Sequence, residues 1–320
     1  MIFLLSPNNE SVHGGIKIIN QHAWLLKEHG HEVVIADFYG KKATWLAKPF
    51  DEVISYADAK NLSKTDIVVA YWNGIQDASV AFSGKAKKYF VVLNTQPPSV
   101  KEAPIAIQID NDMIGEEVFN LKWDGILCTT EYLKNLCFEY DKEASLITVG
   151  VDTSLFVPGN KIPNTVAYFP RRGTFVDNNR KFITDLGLTL IPIDNKPETV
   201  VAKILSESEY FLSITTGVFW NCHSLKGEPR PAIEGWNMPV HEAMACGCSV
   251  IGYRANSAPF MNNDTCYLVE DDNEEMFRSK IIEAIKDNKK KVENAINIAR
   301  YYSFDMMYET LARGLGIWEI

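Results

Sequence analysis

Cysteine is scarce and is not arranged for metal. The six thiols (Cys128, Cys137, Cys222, Cys246, Cys248 and Cys266) include no pair at C-x-x-C spacing, which excludes the common zinc-ribbon and ferredoxin patterns. They sit among apolar or small residues, so reduced thiols and a cytoplasmic setting are expected. Cys246 and Cys248 could form a redox pair, but the plainer reading is two inert small hydrophobes. No apolar run approaches the ~20 residues of a membrane span. The opening MIFLLSPNNE lacks a basic leader region and a small-residue cleavage site, and it reads as a first strand rather than a signal peptide. Positive charge is also in short supply. A net charge of −9 argues against nucleic acid or anionic lipid as a partner of the whole surface. Lys85, Lys87 and Lys88 form a local exception that reads as a solvated helix end, leaving at most peripheral membrane contact. After the first apolar run, SPNNESVHGG does not supply the G-x-G-x-x-G of a dinucleotide oxidoreductase. Short-period repeats and low-complexity tracts are absent as well.

What the chain does have is length and alternation. At 320 residues it exceeds the usual single core, and two domains are expected. Short apolar runs (2–5, 32–38, 51–56, 66–71, 89–94, 125–130 and 145–150) alternate with helical patterns such as IKIINQHAWLLKEHG, which ends at Gly30. Continuous apolar strands separated by helices signal a parallel sheet covered on both faces, hence a Rossmann-like α/β domain. Pro158, Gly159, Pro163 and Asn164 mark a linker. A second βα series follows, with strands at 165–169, 188–193, 210–215, 249–253 and 265–269 and helices near 177–187 and 198–207. Helices at 273–288 and roughly 289–315 close the chain, the last with a kink at YYSFD (301–305). The expected division is 1–157, 158–303 and a C-terminal helix, 304–320, that returns to the first domain.

The stretch EGWNMPVHEAMACGCSVIG (234–252) is the one that points to chemistry. Two carboxylates, Glu234 and Glu242, flank a turn containing Gly235, Trp236, Asn237, Met238 and Pro239. A glycine-bearing turn that opens a helix presents unpaired backbone N–H groups, which suit phosphate. Pro239 fits the first turn, where its missing N–H costs nothing. Glu242, expected in that same turn, could accept two bonds from a ribose diol, while Glu234 could reach sugar hydroxyls. Spacing alone leaves a capped helix with two surface glutamates as an equal alternative.

This stretch resembles the E-x7-E signature of retaining glycosyltransferases of the two-Rossmann-domain type (GT-B fold, family-4-like, group 1), whose pattern is E-G-F-G-L-P-x-x-E-A-M-A-x-G-x-P-V-I. Three further segments agree in order: SVHGGIK (11–17) with the family's glycine loop, KEHGHEVVI (27–35) with L-x-x-x-G-H-E-V-x-V, and VGVDTSLFVP (149–158) with the inter-domain segment. The resemblance implies two domains facing across a cleft and transfer of a sugar, of hexosyl type, from a UDP-, GDP- or dTDP-linked donor. The acceptor would be a hydroxyl on a glycan, a lipid-linked or another molecule, with retention at the anomeric carbon. Glu242 would hold the donor ribose and Glu234 the donor sugar. Arg171 or Arg172, with Arg180 or Lys181 beyond, would face the diphosphate, Arg172 being favoured there because a guanidinium binds phosphate bidentately. Gly14 and Gly15 would let the first-domain loop approach the diphosphate or acceptor, although a plain helix start explains them equally well. No cofactor and no essential metal are implied. Asp110 and Asp112 mimic the D-x-D metal site of another glycosyltransferase class, but a turn role is the default for such a cluster. The family's first-domain histidine is missing from YFVVLNTQPPS, where Asn94 and Gln96 are the polar residues, and His13, His223 and His241 are weak substitutes. A nucleotide-sugar epimerase or hydrolase, and a non-catalytic sugar-nucleotide binder, stay open as alternatives.

Overall fold

In the computed structural model, residues 1–59, 61–71, 80–93, 121–139, 141–170, 174–213, 222–223, 229–230, 235–253, 258–270 and 273–318 are described. The chain forms two compact units. One comprises Met1–Thr148, Trp220–Gly235 and Met307–Ile320, and the other Val149–Phe219 and Trp236–Met306.

Among the described residues, the main sheet of the first unit has seven strands: β1 (Ile2–Ser6), β2 (Val33–Asp37), β3 (Val53–Ser55), β4 (Ile67–Tyr71), β5 (Lys87–Val92), β6 (Gly125–Cys128) and β7 (Ser145–Leu146), in the order β3-β2-β1-β4-β5-β6-β7. Every pairing is parallel, as between Leu4 and Ile35. The pattern expected from the apolar runs is thus realised, with buried residues on both faces: Leu5, Val68 and Phe90 on one side, Leu4, Ile35 and Val69 on the other. Helices α1 (Gly14–Glu28) and α2 (Glu131–Glu139) belong to this unit. Lys87 and Lys88 open β5, so the basic cluster is the start of a strand and not a helix end. The order reverses between β1 and β4, the crevice where such sheets place their ligands.

The second sheet has strands β8 (Ile162–Tyr168), β9 (Thr189–Pro192), β10 (Ser208–Ser213), β13 (Ser249–Tyr253) and β14 (Cys266–Val269), ordered β14-β13-β10-β8-β9. β11 (Cys222–His223) pairs antiparallel with β12 (Pro229–Arg230) as a separate two-stranded sheet, in a segment counted with the first unit. Helices α3 (Thr174–Asn178), α4 (Arg180–Asp185), α5 (Glu198–Glu207), α6 (Met238–Ala245), α7 (Glu274–Lys286) and α8 (Lys289–Tyr301) complete the second unit. Its order reverses between β8 and β10, so the carboxyl ends of those two strands mark its ligand crevice.

Helix α9 (Phe304–Gly314) returns to the first unit as expected. The Thr148 N–H donates to Thr310 Oγ1 at 2.8 Å, the Tyr89 hydroxyl to the Leu315 carbonyl at 2.9 Å, and the Tyr308 ring stacks on His29 at 3.4 Å. The expected kink in one long helix is instead a complete break: α8 ends at Tyr301 and Ser303 caps the next helix through its hydroxyl, which accepts from the Met306 N–H. The break is needed because the chain crosses here. The Tyr302 carbonyl accepts from the Val151 N–H, and Gly150 lies so close to Ser303 and Phe304 that a Cβ would meet the Ser303 carbonyl at 2.7 Å.

Candidate functional site

The turn before α6 sits at the carboxyl end of β10, the switch point of the second sheet. Asn237 caps α6, its side-chain oxygen accepting from the Val240 N–H at 3.3 Å, while its amide donates to Ser213 Oγ at 3.0 Å, on the last residue of β10. Pro239 follows in the first turn, as the sequence predicts. Glu242 lies later than expected, at the fifth helical position and not in the first turn, because the Asn237 cap starts the helix at Met238. It is buried, with 5% of its surface exposed.

The glycine of the turn has a steric reason. Gly235 is counted with the first unit, where an added Cβ would run into the Leu93 carbonyl oxygen and press on Leu133. Only glycine lets that backbone lie against the residue following β5. Trp236 turns inward and is 7% exposed. Its indole N–H donates to His241 Nδ1 at 3.2 Å, and its ring meets Phe260 and Tyr302 edge-on. His241 is therefore enclosed in the second unit rather than placed at a surface where a ligand could meet it.

The helix ends as sharply as it begins. Gly247, at φ +75°, lets its own N–H reach the Met244 carbonyl and the Cys248 N–H reach the Ala243 carbonyl, both at 2.9 Å, so α6 turns directly into β13. The cysteines on either side are structural. Cys248 Sγ donates to the Leu205 carbonyl at 3.1 Å and burial pushes its thiol up to about 11, far from a reactive thiolate. Lys161 binds the Leu205 and Cys246 carbonyls, at 3.0 and 2.8 Å, setting a cation at the end of α6.

The cations divide differently from the expectation. Lys181 points to solvent on α4 and pairs with Asp185 at 2.6 Å, its side chain 86% exposed. Arg180, one residue earlier, reaches the Tyr168 hydroxyl at 3.1 Å, on the last residue of β8, and pairs with Asp177. Glu234, Arg171, Arg172, Asn94, Gln96, Asp110, Asp112 and the side chain of His223 lie outside what is described. Among the described residues no group of His, Cys, Asp and Glu could hold a metal ion, and no helix is long and apolar enough to cross a membrane.

In the first unit, Gly14 and Gly15 are the first two residues of α1, and the Gly15 N–H donates to Nδ1 of the capping His13 at 3.2 Å. Gly15 also adjoins Leu93, so this glycine and Gly235 both pack on the residue after β5. Asp37, at the end of β2 where a dinucleotide-binding fold keeps its ribose acid, is spent on backbone. Its oxygens accept from the N–H groups of Asn9, Tyr39 and Lys41 at 2.7–3.0 Å. The sequence offered no signal for this Asp37–Asn9 tie, nor for Ser213 as partner of the α6 cap.

Residues 211–301, which run from β10 through the α6 turn to α8, match the family model described as Glycosyl transferases group 1. No curated protein matches the chain. Among solved structures, sucrose-phosphate synthase from Thermosynechococcus elongatus is similar at TM-score 0.67 and 12% identity, covering 98% of this chain and 97% of that one. HepE of Anabaena, solved in complex with UDP, is similar at TM-score 0.63 and 12% identity over 99% and 100%. A glycosyltransferase from Rickettsia africae is similar at 0.65 and 16% over 98% and 97%. At these identities the likeness is one of fold, and it extends over both units.

Proposed function

We propose that this chain, a glycosyltransferase by the group 1 domain it carries on a GT-B fold, moves a sugar from a nucleoside-diphosphate donor to an acceptor hydroxyl with retention at the anomeric carbon. One observation carries the reading: the matched domain has its capped, glycine-led turn at the switch point of its own sheet, with a buried glutamate one helical turn further on. HepE, which shares the fold, was solved with UDP-glucose, and a uridine diphosphate donor is the first to test here. We assign acceptor recognition to the first unit and the working compartment to the cytoplasm.

The chemistry asked of the site is cleavage of the bond between the anomeric carbon and the diphosphate oxygen. Positive charge builds on the sugar and negative charge on the leaving group. Fixed donors aimed at that negative charge, already oriented, lower the barrier without reorganising. The amides of residues 235–238, Arg172 or Arg171, and Arg180 in preference to the solvent-facing Lys181 are the groups we assign to it. Glu242 would take the ribose diol and Glu234 the hydroxyls of the sugar, holding the donor in a reactive pose.

Calorimetry against UDP, GDP, dTDP and their sugar conjugates tests the assignment. Glu242→Ala should lose nucleoside-diphosphate binding by about 10-fold or more, the scale of losing hydrogen bonds to a buried carboxylate. Glu234→Ala should keep that affinity and lose transfer. Binding of no nucleotide by the wild type, or equal binding by Glu242→Ala protein, would overturn the donor site. Free sugar instead of glycoside as product would reassign the chain as a hydrolase.

A further inference from the structure

We propose that His241 is the positioning residue of the donor turn, acting through Trp236; the inference rests on the donor reading above. His241 is the fourth residue of α6 and its side chain is wholly buried. Nδ1 faces the Trp236 indole N–H at 3.2 Å and Nε2 faces the Ala299 carbonyl of α8 at 3.2 Å. An indole N–H only donates and a carbonyl only accepts. One form of the imidazole satisfies both partners: neutral, with its proton on Nε2. Its ring also stacks on Phe260, with centroids 4.8 Å apart and planes 21° from parallel.

Trp236 stands between Gly235 and Asn237, in the middle of the stretch whose amides would meet the diphosphate. Its ring lies edge-on to Tyr302, centroids 5.0 Å apart, and to Phe260 at 5.2 Å. The central side chain of the turn is thus latched to α8 and the residue following it, whereas Asn237 is tied to β10. Glycine at 235 leaves that stretch of backbone with little stiffness of its own, so side-chain ties such as these help to set its geometry. The imidazole need not touch the donor to govern its affinity.

Two variants test the latch. His241→Phe keeps a ring for Phe260 but offers the indole no acceptor and Ala299 no donor. His241→Gln can supply both through its amide. By calorimetry, with UDP, GDP and dTDP as probes, His241→Phe should bind the nucleotide that the wild type binds about 10-fold more weakly, and His241→Gln should recover most of the loss. In turnover, His241→Phe should raise the donor KM while the acceptor KM stays put, a split that general loss of packing would not produce. Amide hydrogen exchange without ligand should accelerate across 235–240 in His241→Phe and not across β13. Nucleotide binding by His241→Phe equal to that of the wild type would overturn the proposal. If the wild type binds none of the three probes, the donor reading falls, and exchange then decides the latch: unchanged protection across 235–240 overturns it, and local acceleration rescued by glutamine upholds it.

Discussion

At position 22 a histidine lies wholly inside the first unit, its Nδ1 2.7 Å from the Tyr71 hydroxyl, and burial drags its pKa down to about 3. In the unfolded chain the same imidazole titrates near the ordinary 6.5. Below that pH the unfolded state takes up a proton that the native state refuses. The stability due to this group is therefore complete above about pH 6.5 and declines as pH falls from there toward 3, by about 1.4 kcal/mol per pH unit. His22→Gln keeps a polar partner for Tyr71 and removes the titration. Urea unfolding between pH 4.5 and 6.5 should show a shallower loss of stability in the variant by about one proton's worth, and an identical slope would contradict the assignment. His22 and His241 show what residue types alone conceal. Both are buried on helices and serve the interior, and nothing in their sequence neighbourhoods separates them from the exposed His13, which caps α1.

Four helices end in the same way. After α1, α4, α6 and α9 a glycine at positive φ (Gly30, Gly187, Gly247 and Gly316) is followed by a residue whose N–H reaches back five residues, as Leu188 does to Ile183 and Ile317 to Ala312. At Gly247 an added Cβ would meet Ile296 and Pro158 only at ordinary contact distance, 3.4 Å or more. Gly247→Ala should then cost about 1–2 kcal/mol through backbone strain alone. Urea titration should show a lower midpoint with an unchanged slope; a changed slope would mean that packing had been altered as well. These endings, and the continuous apolar runs such as SVIGY that fill β13, were legible in the sequence because each depends on near neighbours. The start of α6 was less so. Pro239 and Glu242 look like parts of one first turn, yet the Asn237 cap begins the helix at Met238 and carries Glu242 into the second turn. The break between α8 and α9 was hidden for a related reason: the amide that takes the Tyr302 carbonyl is that of Val151, about 150 residues earlier in the chain.

Over the whole molecule, the two-sheet α/β plan and the return of the last helix follow from alternation and motif order. Contacts within each unit that join residues far apart in the chain do not. Leu93 against Gly235 and Ala299 against His241 are contacts that no local pattern announces. The returning helix gives a prediction at this scale. Met307, Leu311, Ala312 and Leu315 are buried, and burying apolar side chains of this kind contributes on the order of 5 kcal/mol in total. A chain ending at residue 303 should show a destabilised first unit, seen as an early calorimetric transition and faster proteolysis within 1–148. A truncated chain that melts like the full-length one would show that α9 is dispensable.

The same interleaving sets an order of assembly on the ribosome. Met307–Ile320 belongs with Met1–Thr148, so the first unit emerges early but cannot be completed until the last segment is made. At 5–20 residues per second the intervening stretch takes on the order of 10–30 s to synthesise. Throughout that wait the surface destined for α9, around Tyr89, Leu127 and Ile147, stays uncovered on the nascent chain. It is then a place for a chaperone to hold, and the second unit, whose segments are all made by residue 306, is free to fold before the first is finished.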